Sequence, residues 1–228
     1  MLGGGSAAPA AAAILEPVAT LQVGNTPLDL FLILDPQKPG GAFLDQVFTT
    51  DAYRIAVTAT LNPDASIRFG MNVTNFGADA LAVLLHLGVG VNPFTGPTVA
   101  KSGIGGALTA GPNGPAGVRL GADVLPDVDG DGANEIFISG FNGIPFGLDL
   151  GLTSSTPGLY GPFNGGPISG PTGPAFTLLD MTLAYTLSGG GDVVDLQGFT
   201  EVQPVPEPAT LGLVGMGLLA VARRRRQR

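Results

Sequence analysis

Every second residue is apolar along two stretches that face each other across a short turn. Tyr53, Ile55, Val57, Ala59 and Leu61 alternate with Arg54, Thr58 and Thr60. Ile67, Phe69, Met71 and Val73 alternate with Arg68, Gly70, Asn72 and Thr74. A two-residue period puts all the apolar side chains of a strand on one face. Asn62-Pro63-Asp64 between them supplies turn chemistry. The pair therefore predicts an antiparallel hairpin with one dry and one wet face. The same period runs through Leu81, Val83, Leu85, Leu87, Val89 and Val91, where a helix over 78–87 is the alternative. Gly88, Gly90 and the strict alternation favour a strand. Leu179, Met181, Leu183, Tyr185 and Leu187 repeat the pattern, and Val193–Val202 reads as their partner across Gly189-Gly190-Gly191. Leu28–Leu34 is an earlier candidate.

No stretch before the C-terminal tail holds helical periodicity over three turns. The 37 glycines and 20 prolines suit turns between short strands and have no collagen period. The expected class is all-β: an antiparallel β-sandwich, jelly-roll-like, followed by a short hydrophobic C-terminal helix. A barrel is the competing architecture. Pro157–Pro174, with Gly-Pro at 161, 166, 170 and 173, reads as a low-complexity surface loop, because a strand pattern resumes at Phe176.

The chain has 228 residues. We divide it into a leader at 1–15, one β-sandwich domain at 16–202 and a tail at 203–228. There is no cysteine, which excludes a disulfide framework and thiol chemistry. Before the tail's apolar run stand all 18 acidic residues and five basic ones, Lys38, Arg54, Arg68, Lys101 and Arg119, a formal charge of −13. Such a body repels nucleic acid and anionic surfaces and suits divalent cations.

The tail has three elements in order. Pro206, Glu207 and Pro208 break any regular structure that would run on from the body. Leu211–Ala222 is apolar, and Arg223, Arg224, Arg225 and Arg226 close it. Twelve residues make a helix of about 18 Å, short of about 30 Å of hydrocarbon. The arginines favour the cytoplasmic side, which places the body across the membrane. This tail resembles the PEP-CTERM sorting signal of bacterial exported proteins. The resemblance implies that an exosortase processes the chain near Pro208, and that an inner-membrane intermediate precedes a cell-surface or extracellular form. It also implies a setting of exopolysaccharide and biofilm. It does not specify what the body does.

The front of the chain is a poor export signal, with no Lys or Arg and no long apolar core. The run Ala7-Ala8-Pro9-Ala10-Ala11-Ala12-Ala13 reads like the small-residue end of a signal peptide. We expect the charged and apolar parts to be encoded upstream of Met1. A disordered Ala/Gly leader is the alternative.

One motif in the body carries chemistry. Asp127, Asp129 and Asp131 alternate on a loop that Gly130 and Gly132 allow to turn sharply. Their carboxylates, the Ala133 carbonyl and Glu135 form an oxygen set suited to Ca²⁺. The loop resembles the Asp-x-Asp-x-Asp-Gly calcium loops, in the variant that runs straight into a strand, here Ile136-Phe137-Ile138. A solvated acidic turn without metal is the alternative. A bound calcium would be structural and weak, with Kd on the order of 10⁻⁴–10⁻³ M.

Catalytic signatures are missing from the sequence. His86 is the one histidine, it has no Cys or second His to work with, and it reads as a half-exposed strand residue. There is no Gly-x-Ser-x-Gly elbow. Gly103-Ile104-Gly105-Gly106 has no following Lys and no helix, so it is not a phosphate loop. We therefore expect no enzyme, but an exported structural or binding protein with one calcium-stabilised loop. The second expectation is an exopolysaccharide-binding or adhesive module, and the weakest is a secreted hydrolase.

Overall fold

The computed structural model describes residues 15–94, 96–113, 119–121, 125, 134–142, 144–150, 154–171 and 176–205. Among these residues the strands are β1 (Val18–Val23), β2 (Thr26–Leu28), β3 (Ile33–Leu34), β4 (Ala42–Thr49), β5 (Tyr53–Asn62), β6 (Ser66–Asn75), β7 (Leu81–Gly90), β8 (Thr98–Thr109), β9 (Leu120–Gly121), β10 (Phe137–Phe141), β11 (Ile144–Leu150), β12 (Gly158–Ser169), β13 (Leu178–Leu187) and β14 (Asp192–Pro204). They form two sheets. One runs β11-β10-β13-β7-β1-β2, with β9 beside the end of β13, and the other runs β12-β8-β14-β6-β5-β4-β3. Every pairing is antiparallel. Among the described residues neither sheet closes on itself, so the fold is a sandwich and not a closed barrel.

The alternating residues build the core as expected. Ile55, Val57, Leu61, Ile67, Met71 and Val73 of one sheet are buried, as are Val83, Leu85, Leu87, Leu183 and Leu187 of the other. The β5–β6 hairpin forms in the predicted register, Leu61 opposite Ile67 and Ile55 opposite Val73. Phe69 of β6 meets Phe137 of β10 across the sandwich, ring centroids 5.6 Å apart. The Tyr185 hydroxyl of β13 donates to Met71 Sδ of β6 at 3.6 Å. Both contacts tie the two sheets together. Within the 78–87 stretch, Leu81 onward belongs to strand β7, as its alternation favours.

Burial pushes the Tyr185 phenol well above its ordinary pKa of 10.0. The folded chain keeps this proton at a pH where the unfolded chain releases it, so stability falls as pH rises past about 10. We expect a loss of melting temperature between pH 10 and 11.5 that is visibly smaller in Tyr185→Phe. Calorimetry across that range is the check, and identical curves for both proteins would refute the assignment. Tyr160 is buried, shifted in the same direction, and contributes to any loss that remains.

Three local expectations are corrected. Val193–Val202 does not pair with β13. It lies in β14, which pairs with β6 and β8 in the other sheet, while β13 pairs with β7 and β10. Gly189–Gly191 thus crosses between sheets instead of closing a hairpin. The crossing needs glycine because it packs against other turns: Gly190 N–H donates to Gly77 O (2.7 Å) and Gly191 N–H to Asn75 O (2.8 Å), with φ +84° and +93° at these two glycines. Pro157–Pro174 is not simply a loop, since Gly158–Ser169 is β12. Its prolines are tolerated because β12 is an edge strand and its pairing with β8 is interrupted twice. Leu28–Leu34 is split between the ends of β2 and β3.

Candidate functional site

The tail leaves from the middle of a sheet. β14 is flanked on both sides, by β6 through ten register pairs and by β8 through twelve. Its last pair is Pro204 opposite Thr98, and Val205 N–H still donates to Pro97 O at 2.8 Å. Pro206, the first residue of the Pro-Glu-Pro, follows with no linker. Pro206, Glu207, Pro208 and Arg223–Arg226 lie outside the described residues, as do the leader to position 14 and the expected C-terminal helix. Among the described residues no helix is long and apolar enough to cross a membrane.

A family model described as the PEP-CTERM protein-sorting motif matches residues 204–226. The chain carries a PEP-CTERM sorting tail. The match starts on the last residue of β14, so the sandwich and the motif share a boundary. The motif marks an exported protein that is held in the membrane before exosortase processing. No curated protein matches the chain.

Of the five calcium-loop positions, Asp127, Asp129, Asp131 and Ala133 lie outside the described residues. Glu135 is described and is 6% exposed. It sits where the loop rejoins the sandwich, beside the fully buried Ile136 and Phe137, and Ile136 O accepts from Ala184 N–H at 2.8 Å. A buried carboxylate needs compensation by hydrogen bonds or cations. Among the described residues no three His, Cys, Asp or Glu converge. His86 is half-buried on β7, with Nδ1 3.2 Å from Thr182 Oγ1 on the neighbouring β13, as a strand histidine would be.

The broad outer face of the second sheet carries a shallow groove that sequence reasoning missed. Cross-strand register aligns Phe43, Thr60, Arg68, Phe199 and Gly103 in one row, and Asp45, Thr58, Gly70, Gln197 and Gly105 in the next. The groove is about 460 Å³ and lies over Gly70, between Phe43 and Arg68 on one side and Asp45, Thr58 and Gln197 on the other. Gly70 makes the floor: a Cβ there would come within 2.9 Å of Thr58 Oγ1. Arg68 lies over the Phe199 ring, 5.8 Å from its centroid, and Phe199 in turn covers Gly103. Lys101 (2.7 Å) and Arg68 (3.8 Å) both reach the Glu201 carboxylate. The Glu201 side chain is only 14% exposed, while Arg68 is largely in solvent. The groove offers hydroxyl, amide, carboxylate and guanidinium groups beside an exposed ring, without a nucleophile–base pair. No local motif encodes it, because the consecutive strands β4, β5 and β6 are completed by β14, more than a hundred residues further on.

A second cavity of about 520 Å³ lies at the opposite end from the tail, lined by Arg119, Leu120, Gly121, Ser154, Ser155, Thr186 and Ser188 among others. Beneath it the turns are tied by buried polar groups. Asp192 accepts from Gly111 N–H (2.7 Å) and from the Ser188 hydroxyl, which also accepts from Arg119 N–H at 2.6 Å.

Proposed function

We propose that the chain is a non-catalytic matrix or cell-surface protein. Its tail holds it in the inner membrane until the exosortase acts, and its acidic sandwich then serves a structural or binding role outside the cell. The sorting motif joined directly to the last strand of the β-sandwich carries this reading. Asp127, Asp129, Asp131, the Ala133 carbonyl and Glu135 hold one structural Ca²⁺. Without the cation these carboxylates repel one another, so the metal stabilises the loop and its re-entry at Ile136.

The calcium reading sets a magnitude. With Kd on the order of 10⁻⁴–10⁻³ M, 10 mM Ca²⁺ stabilises the fold by about 1.4–2.7 kcal/mol. For a domain of this size that raises the melting temperature by about 3–10 °C. Chelation reverses the rise, and Asp129→Ala with Asp131→Ala abolishes it. A melting curve indifferent to chelator would rule the site out.

The groove over Gly70 favours a second reading, an exopolysaccharide-binding or adhesive module. Sugar hydroxyls match Asp45, Thr58, Arg68 and Gln197, and the apolar face of a pyranose ring matches Phe43. Pull-down of the purified body on the producing organism's own exopolysaccharide, with Arg68→Ala and Gln197→Ala as controls, tests it. Equal retention of all three proteins would reject the groove as the site.

A further inference from the structure

Three of the five basic residues of the body are answered by acids. Lys38 pairs with Asp64, and Arg68 and Lys101 both reach Glu201. Among the described residues Arg54 and Arg119 make no ion pair. Arg54 stands on the open face of the β5–β6 hairpin, between Thr49 and Thr74 of the neighbouring strands. Arg119 instead lines the cavity of about 520 Å³.

The main chain of Arg119 is fixed from both sides. Its N–H donates to Ser188 Oγ at 2.6 Å, and Ser188 N–H donates back to Arg119 O at 3.0 Å. The next residue, Leu120, is 1% exposed and exchanges both backbone hydrogen bonds with Ser154, at 2.7 and 2.9 Å. Leu120 also pairs with Leu187 at the end of β13. A ligand would therefore have to order only the Arg119 side chain, which lowers the entropic cost of binding. Ser188 gives its hydroxyl proton to the buried Asp192, so it serves Arg119 as a fixed acceptor. Ser154, Ser155 and Thr186 are different. Their hydroxyls line the cavity and donate to no acceptor among the described residues.

The donor set decides the ligand class. No carboxylate and no aromatic ring stands among the described lining residues. The groove over Gly70 has both, in Asp45 and Phe43. A guanidinium beside hydroxyl donors matches a group that only accepts hydrogen bonds, such as a carboxylate or a sulfate. The body's charge of −13 opposes an anion at long range, but exposed charges farther than about 8 Å are largely screened at physiological ionic strength. Of the acids close in sequence to the lining residues, Asp192 is fully buried and turned to Gly111 and Ser188. Asp79 is exposed and does not line the cavity. A volume of about 520 Å³ exceeds what a bare ion fills and falls within the roughly 300–1,000 Å³ of small-molecule sites.

We propose that Arg119, with the hydroxyls of Ser154, Ser155 and Thr186, binds the oxyanionic group of a polar ligand of about saccharide size. Arg119 makes the charged contact, and the three hydroxyls complete the cradle. The site is separate from the groove over Gly70 and does not depend on the sugar-binding reading of that groove.

Nuclear magnetic resonance of the full chain in detergent micelles tests this at the residue itself. The Arg119 Nε–H resonance is assigned from its loss in Arg119→Gln. That substitution keeps both main-chain bonds to Ser188. Glucuronate is expected to shift this resonance saturably, while the Arg54 resonance stays in place and glucose has no effect. Thr186→Val removes one hydroxyl and should weaken glucuronate binding at least threefold. An Arg119 resonance indifferent to glucuronate would overturn the proposal. So would an equal response to glucose, or an Arg54 resonance that moves in step. Sulfate bound as tightly as glucuronate would point to a free ion and overturn the larger ligand. Unchanged affinity in Thr186→Val would remove the hydroxyl cradle from the assignment.

Discussion

In cells that lack the exosortase, the chain will stay in the inner-membrane fraction at full mass, while cells that have it will yield a body ending near Pro208. The effect should be close to all-or-none, because the tail has a single retention device. Each arginine placed at the bilayer centre costs about 2.5–3.5 kcal/mol, so four of them oppose passage by on the order of 10 kcal/mol. Replacing Arg223–Arg226 with alanine removes that barrier. The altered chain should be released with its tail still attached, because it no longer dwells beside the enzyme. Replacing Pro206 and Pro208 with alanine keeps the barrier and should leave a retained, unprocessed chain. Intact mass of each cell fraction separates these outcomes. A shortened body in exosortase-deficient cells would refute the scheme.

Asp192→Ala should produce the largest stability loss of any single polar substitution in the body. Asp192 is fully buried and accepts from both Gly111 N–H and the Ser188 hydroxyl. Its removal strands two donors where water does not reach, at about 1–3 kcal/mol each. A total near 3 kcal/mol lowers the melting temperature by about 6–12 °C. The site lies at the crossing from β13 to β14, so the damage is felt in both sheets. Asp192→Asn keeps one acceptor for Gly111 and should lose less than half as much. Thermal unfolding of the two variants beside the parent is the check. If the alanine and asparagine proteins melt together, the two hydrogen bonds do not carry the stability assigned to them.

The two kinds of buried group differ in how they could be found. Leu61 and Ile67 face each other because both lie on the dry side of a period-two pattern around Asn62-Pro63-Asp64, all of it local. Asp192 gives no such signal. It follows three glycines and looks like an exposed turn residue until Gly111, 81 positions earlier, is seen to donate to it. The groove over Gly70 is equally silent in sequence. Phe43, Arg68 and Gln197 stand on separate strands and come together only through the register of β4, β5, β6 and β14. The tail is the opposite case. Its proline break, apolar run and arginines act through composition and order, and they can be read without any fold.

The sequence by itself determined the all-β class, the strands β5, β6, β7, β13 and β14, the acidic character of the body and the sorting tail. Each of these depends on local periodicity, on net charge or on the transfer cost of a short segment, and none of the three requires knowing which strands pair. Tertiary structure alone decided that β13 and β14 part company at Gly189–Gly191 and that Gly158–Ser169 is an edge strand. It also decided that a groove lies over Gly70. Those facts depend on which strands pair and in what register. A strand's alternation says which of its faces is dry, but it does not say which other strand that face will meet.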